Sequence, residues 1–201
     1  MASVNEVNLG GSSAMNYYDP KEDSPRVSII PKQLYPMHIT KVDIREVSVK
    51  GKYKAKVYNL VGTIAKECAE FNYDSPTGQI NGSSFVGREL RVNGIFMFLN
   101  PSPGDDFEAN NGANEKYLRF CENIGIPCKE VSIDIEGESR SVKQFPLLEK
   151  SDIMGKPISG YVDTEQYTDK SGQRKTSYKV KNFDKWADGK AIDVELADLP
   201  F

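Results

Sequence analysis

Only one segment of this 201-residue chain carries a helical period, and it comes late. In NEKYLRFCENIG (114–125), Tyr117, Leu118, Cys121 and Ile124 recur at helical spacing. Asn114 can cap its start, and Gly125 supplies the C-terminal stop. Most other apolar residues fall in runs rich in β-branched and aromatic side chains: RVSII, LYPMHITKVDIREVSV, KYKAKVYNLVGTIAKE and VGRELRVNGIFMFLNP. Strands do not alternate with helices as βαβ units would, so the expected class is mainly β, an antiparallel barrel or sandwich with one helix.

Punctuation sets the boundaries. VSVKGKYKAKV reads as a hairpin hinged at Lys50-Gly51, and Asn100-Pro101 ends the strand that follows Gly87-Arg88. NYDSPTGQINGSS and PSPGDDFEANNGAN are loops by composition. EVSIDIE and RSVKQF are short strand candidates, and GKPISGYVDTEQY and KTSYKVKNF flank the turn TDKSGQR. Residues 1–26, rich in Gly, Ser, Asn, Asp and Pro, read as a flexible arm with a contact point at Tyr17 and Tyr18. Residues 27–186 form the folded domain, and 187–201 an acidic tail with an apolar tip.

Several function classes find little support. No apolar run reaches bilayer length, and MASVNEVNLGGSSAMNYYD lacks the basic and apolar regions of a secretion signal, so a cytoplasmic protein is expected. Cys68, Cys121 and Cys128 are odd in number and form no CxxC pair, which fits reduced thiols rather than disulfides or zinc. The lone histidine, His38, lies inside a strand run and reads as a structural residue. Asp105 and Asp106 read as solvated loop carboxylates without converging metal ligands. P-loop, GxSxG and HExxH patterns are absent, no cofactor is implied, and an enzyme is not expected.

Charge distribution is more telling than the net charge of −3. In an extended GKYKAKVYN, Lys52, Lys54, Lys56 and Tyr58 share one face, while Tyr53, Ala55 and Val57 take the other, expected to be the core side. In KTSYKVKNFDKW, Lys175, Ser177, Lys179, Lys181 and Phe183 share one parity and Tyr178 and Val180 the other. Arg174 precedes this stripe in the turn and Trp186 follows it, with Arg45 and Arg88 as further cationic candidates. Cations interleaved with rings suit a single nucleic-acid strand: ammonium groups neutralise phosphates, and rings stack on unpaired bases for about 1–3 kcal/mol each. The bland alternative is a solvated face or a guarded edge strand.

The final residues add a second theme. Asp193, Glu195 and Asp198 precede Leu199, Pro200 and Phe201, an apolar anchor beside an α-carboxylate. Asp198-Leu199-Pro200-Phe201 resembles the Asp-Ile-Pro-Phe tip of bacterial single-stranded-DNA-binding proteins, with Leu for Ile and without the long Gly/Gln-rich linker. The order Gly87-Arg88, Asn100-Pro101, Cys121 to Gly125, Gly155-Lys156 and Asn182-Phe183 is similar to small phage single-stranded-DNA-binding proteins. These resemblances imply an OB-fold-like barrel that coats exposed DNA, and a tip (Asp198, Leu199, Pro200, Phe201) that recruits replication, recombination and repair enzymes. The DNA-binding set expected is Arg45, Lys52, Lys54, Lys56, Tyr58, Arg88, Arg174, Lys175, Lys179, Lys181, Phe183 and Trp186. Proteins of this kind act as monomers or homo-oligomers, and no heptad or interface stripe selects between them. The rival reading is a β-rich phage structural or interaction protein.

Overall fold

The computed structural model of the protein describes residues 30–49, 53–99, 107–135 and 137–194. The chain runs β1 (Leu34–Val49), β2 (Tyr53–Ile64), a short hairpin β3 (Asn72–Ser75) and β4 (Gly78–Asn81), β5 (Glu89–Phe98), and helix α1 (Phe107–Asn123). A second hairpin follows, β6 (Lys129–Ile135) and β7 (Glu138–Gln144), then a one-turn helix α2 (Lys150–Ile153), β8 (Pro157–Thr168) and β9 (Arg174–Asp184). The mainly β class and the single long helix agree with the sequence reading.

Five strands close a ring in the order β1-β2-β5-β9-β8. Taken as barrel strands one to five, that order is 1-2-3-5-4, an OB-like arrangement with α1 inserted between strands three and four. One junction departs from the antiparallel expectation. β5 and β9 pair in parallel, through Arg91 opposite Lys179 and Val92 opposite Val180. The chain leaves β5, passes through α1, the β6–β7 ribbon and the β8 strand, and re-enters beside β5 in the same direction, which a meander cannot do.

Alternation decides what lines the interior. Tyr35, Met37 and Ile39 of β1, Tyr58, Leu60 and Ile64 of β2, Leu90, Val92, Ile95 and Met97 of β5, Ile158 and Val162 of β8, and Val180 of β9 are buried. Three irregularities keep this set inward: between Ile39 and Lys41 in β1, between Tyr58 and Leu60 where β2 meets β5, and at Lys181 of β9, opposite Tyr161 and Val162 of β8. Each inserts a residue and so resets the parity of a strand. Around Tyr35 the interior is filled from the β2–β5 connection, with Tyr35 stacked on Tyr73 at 4.3 Å and Phe85 edge-on to both. Around Tyr58 it is filled by Tyr117, Phe120 and Cys121 of α1.

Two segments read as loops are more ordered than their composition suggested. NYDSPTGQINGSS contains the β3–β4 hairpin, because Tyr73 is pulled into the core and the Pro76-Thr77 dipeptide makes a two-residue turn. Helix α1 begins at Phe107, inside the second predicted loop, so Asn114 is a mid-helix residue and not a cap. Asn114 is buried; its Oδ1 accepts the Phe98 N–H at 2.8 Å and its Nδ2 donates to the Phe98 carbonyl at 3.4 Å. That side chain stands in for a neighbouring strand along the edge of β5, and the tertiary contact outweighs the local signal of an Asn. The far end follows expectation. Gly125 has φ +80°, its N–H reaches the Glu122 carbonyl at 3.1 Å, and Ile126 N–H reaches Cys121 at 2.8 Å, a Schellman closure.

Residues beyond Trp186 run back along the barrel. Ile192 N–H donates to the Gly155 carbonyl at 3.1 Å, and His38 Nε2 lies 3.0 Å from the Lys190 carbonyl oxygen. Among the described residues no helix is long and apolar enough to cross a membrane.

Candidate nucleic-acid interface

The barrel strands that face outward together are β2, β5 and β9, and their outer surface is set by register. Val57 sits opposite Phe96 and Ala55 opposite Phe98, so these four share a face; Tyr58 opposite Ile95 and Lys56 opposite Met97 share the inner one. The sequence expectation for β2 holds in part: Ala55 and Val57 are buried, on the face they share with Phe98 and Phe96, and Lys54 is exposed, but Tyr58, of the lysine parity, turns into the barrel. Tyr58 is fully buried, its ring 5.3 Å from that of Tyr117, and its hydroxyl donates to the Leu148 carbonyl at 3.4 Å. Burial raises its pKa, and no base can reach its ring. The reason lies further along the strand: Leu60, Gly62 and Ile64 continue the Tyr58 parity, and an apolar row of that length outweighs two lysines at its end. Lys56 is half-buried at the rim, in a recess shared with Ile44, Glu46, Glu149, Lys150 and Ser151.

The rings that do face outward were missed. Phe96 is 38 % exposed and its ring is 6.3 Å from that of Phe98, inclined by 25°. Gly94 makes room for this pair: a Cβ there would lie 3.2 Å from Val57 Cγ2 and 3.7 Å from the Phe96 ring. Phe98 is fixed through its backbone by Asn114, so the patch rests on rigid elements. Sequence parity could not find it, because IFMF is apolar on both faces; the signal was that a strand needs only one apolar face, and this one has two.

Cations lie across from the rings and further along the same strands. Arg45, directly across β2 from Phe96 through Val57, is exposed and pairs with Asp43 at 2.6 Å. Arg91 is exposed on β5 beside Lys179 of β9. Arg88 stands 5.6 Å over the Phe85 ring, at the β2–β5 connection.

The second lysine stripe keeps its predicted outward direction but not its free charge. Lys175 pairs with Asp169 at 2.7 Å, Lys179 with Glu165, and Lys181 with Asp163, which Lys32 also holds at 2.8 Å. Cross-strand partners are Lys179 opposite Asp163 and Lys175 opposite Tyr167. Lysines 175 and 179 therefore reach diagonally, to the carboxylate two residues further along the chain, Asp169 just past the end of β8 and Glu165 within it. Lys181 and Lys32 beside Asp163 hold its carboxyl well below the usual range, and Lys181 is raised in turn. Asp169 is brought down to about 2 by Lys175, the Ser171 hydroxyl and the Gln173 N–H. Arg174 is exposed and opens β9.

Two predicted rings are engaged by the protein itself. Lys181 is the extra residue that Asn182 and Val180 enclose opposite Tyr161 and Val162, and it flips the parity beyond it. Phe183 then faces Gly160, whose own inward direction is marked by Met37 and Val180, and its ring meets Phe120 of α1 edge-on at 5.5 Å. Trp186 lies 5.3 Å from the His38 ring, and Gly189 packs so closely on it that a Cβ there would lie 2.6 Å from Trp186 Cδ2. Neither is a free stacking platform. Lys52, the tip residues Asp198, Leu199, Pro200 and Phe201, and the loop residues Asp105 and Asp106 lie outside the described residues. Among the described residues, no group of three or more His, Cys, Asp or Glu converges as a metal site. Comparison with protein-family models, with curated proteins and with solved structures finds no match.

Proposed function

We propose that this chain binds single-stranded DNA with little sequence preference, through the outer face of β2, β5 and β9, and without catalysing a reaction. One observation carries the reading: two accessible rings, Phe96 and Phe98, inclined by 25°, lie on an OB-like barrel across β2 from Arg45, with Arg91 and Lys179 further along the same strands. Unpaired bases can stack on such rings while those cations take the phosphates; a duplex has no free base faces to offer. In the same reading, Asp198–Phe201 captures replication, recombination or repair enzymes inside the cell, that of the host if a phage encodes the chain.

Fluorescence anisotropy of labelled oligo-dT at two salt concentrations tests it. The protein should bind, and more weakly at the higher salt. Phe96→Leu with Phe98→Leu keeps apolar cover over Ala55 and Val57 while removing the rings, and should cost roughly tenfold per ring. Removing Phe201 should leave DNA affinity in place and abolish capture of a host replication or repair enzyme. No binding at low salt sinks the nucleic-acid reading. That result, with the ring variants instead breaking up an oligomer, would favour a β-rich structural or interaction protein, a reading supported by the carboxylate partner on each of Lys175, Lys179 and Lys181.

A further inference from the structure

The β9 lysines would be expected to supply phosphate contacts, yet β8 and the turn after it supply each of three with an anion of the protein's own: Asp169 of the turn for Lys175, Glu165 for Lys179, Asp163 for Lys181 and Lys32. The three carboxylates do different work. Asp169 accepts from Ser171 N–H, Ser171 hydroxyl and Gln173 N–H at 2.9, 2.6 and 3.0 Å, so it builds the β8–β9 turn as well as pairing. Asp163 accepts from Thr164 N–H and two lysines. Glu165 is half-exposed and its described partner is Lys179 alone. Nothing in the fold near Glu165 needs an acid: its cross-strand neighbour is Ser177, and a glutamine would fill the same space.

Resting on the nucleic-acid reading, we propose that Asp163 and Glu165 of β8 are specificity-determining residues: built-in anions that occupy the β9 lysines until a strand's phosphates displace them. Exposed ion pairs are weak enough to be exchanged. A lone phosphate or mononucleotide gains little by replacing a tethered carboxylate, whereas a strand whose bases are already held on Phe96 and Phe98 brings several phosphates at once. The exchange also reshapes salt dependence. Each carboxylate released from a lysine gathers a counter-cation, which offsets the cation that the phosphate gives up. The ladder therefore makes binding less steep in salt than the lysine count implies.

Glu165→Gln and Asp163→Asn test this in the full chain, by anisotropy of labelled oligo-dT across a salt series. Each variant removes one carboxylate that would otherwise regain a cation, so each should steepen the log–log slope by about 0.7. Affinity at low salt should rise roughly two- to fivefold for Glu165→Gln. Glu130→Gln, on the β6–β7 ribbon, changes net charge equally and should move neither quantity. Parent-level slope and affinity in both β8 variants, with the parent still binding, would overturn the proposal and leave the function standing. Equal tightening by all three would also overturn it, as a plain net-charge effect. If neither the parent nor the variants bind at low salt, the proposed function falls and this inference with it.

Discussion

The two lysine rows look alike in one dimension and have different fates in three. The row on β2 shares its parity with Tyr58, Leu60 and Ile64, so it is the outer end of an inward-facing stripe; Lys56 stops at the rim and Tyr58 is sealed against Tyr117. The row on β9 shares its parity with Ser177 and stays outside, yet each of its lysines meets a carboxylate from β8 or the turn after it. Alternation tells which residues share a face. It does not tell which face is inside, and that is settled by the longest apolar row on the strand. Nor does it tell what stands across the strand, because cross-strand neighbours are distant in sequence.

The comparison breaks most visibly in stability. Tyr58→Ala removes a fully buried ring, and losses of that kind cost about 3–5 kcal/mol. Lys179→Ala removes a surface cation and should change stability by no more than about 0.5 kcal/mol. Urea unfolding with an unchanged m-value separates the two. A Tyr58→Ala protein as stable as its parent would return that ring to the surface and undo the inward turn assigned to it.

Binding sharpens the contrast in the other direction. Reversing Lys175, Lys179 and Lys181 to Glu should weaken oligo-dT binding while flattening the salt slope by less than the ~2 that three unpaired lysines at about 0.7 each would give, because each displaced carboxylate regains a cation. Reversing Lys54 and Lys56 should change affinity by less than about twofold, because their parity on β2 is opposite to that of the ring-bearing face. Equal losses from both rows would mean that the strand wraps around the β1–β2 hairpin as well.

What could be read in advance follows the range of the interactions. Strand limits were legible where alternation and Gly or Pro punctuation agree, as in β1, which spans LYPMHITKVDIREVSV, and at the Gly125 stop. The start of α1 was not. Its Asn-rich first turns carry loop signals, and Asn114 earns its place through a contact with Phe98, sixteen positions away. The aromatic patch was hidden for a related reason. Phe96 and Phe98 alternate with Ile95 and Met97, two equally apolar sets, and only the pairing of Ile95 with Tyr58 reveals which one is buried. Phe183 was misplaced by a single extra residue, since one bulge at Lys181 reverses every direction after it.

The smallest expected effect is a titration, and it reports whether the β9 row is neutralised in solution. Asp169 in the folded chain titrates at about 2, against an unfolded carboxyl near about 3.9. Its folded pKa is the lower one, so its contribution to stability is complete above about 4 and is lost as pH falls towards about 2. The amide protons of Ser171 and Gln173, which donate to Asp169, are local reporters of that event. Their NMR shifts should stay constant from neutral pH down to about 4 and then move with a midpoint of about 2. Asp169→Asn should remove that inflection. A midpoint at or above about 3.9 would mean that Lys175 does not hold the carboxylate, leaving the second row as free as its sequence first suggested and its cations open to phosphate without exchange.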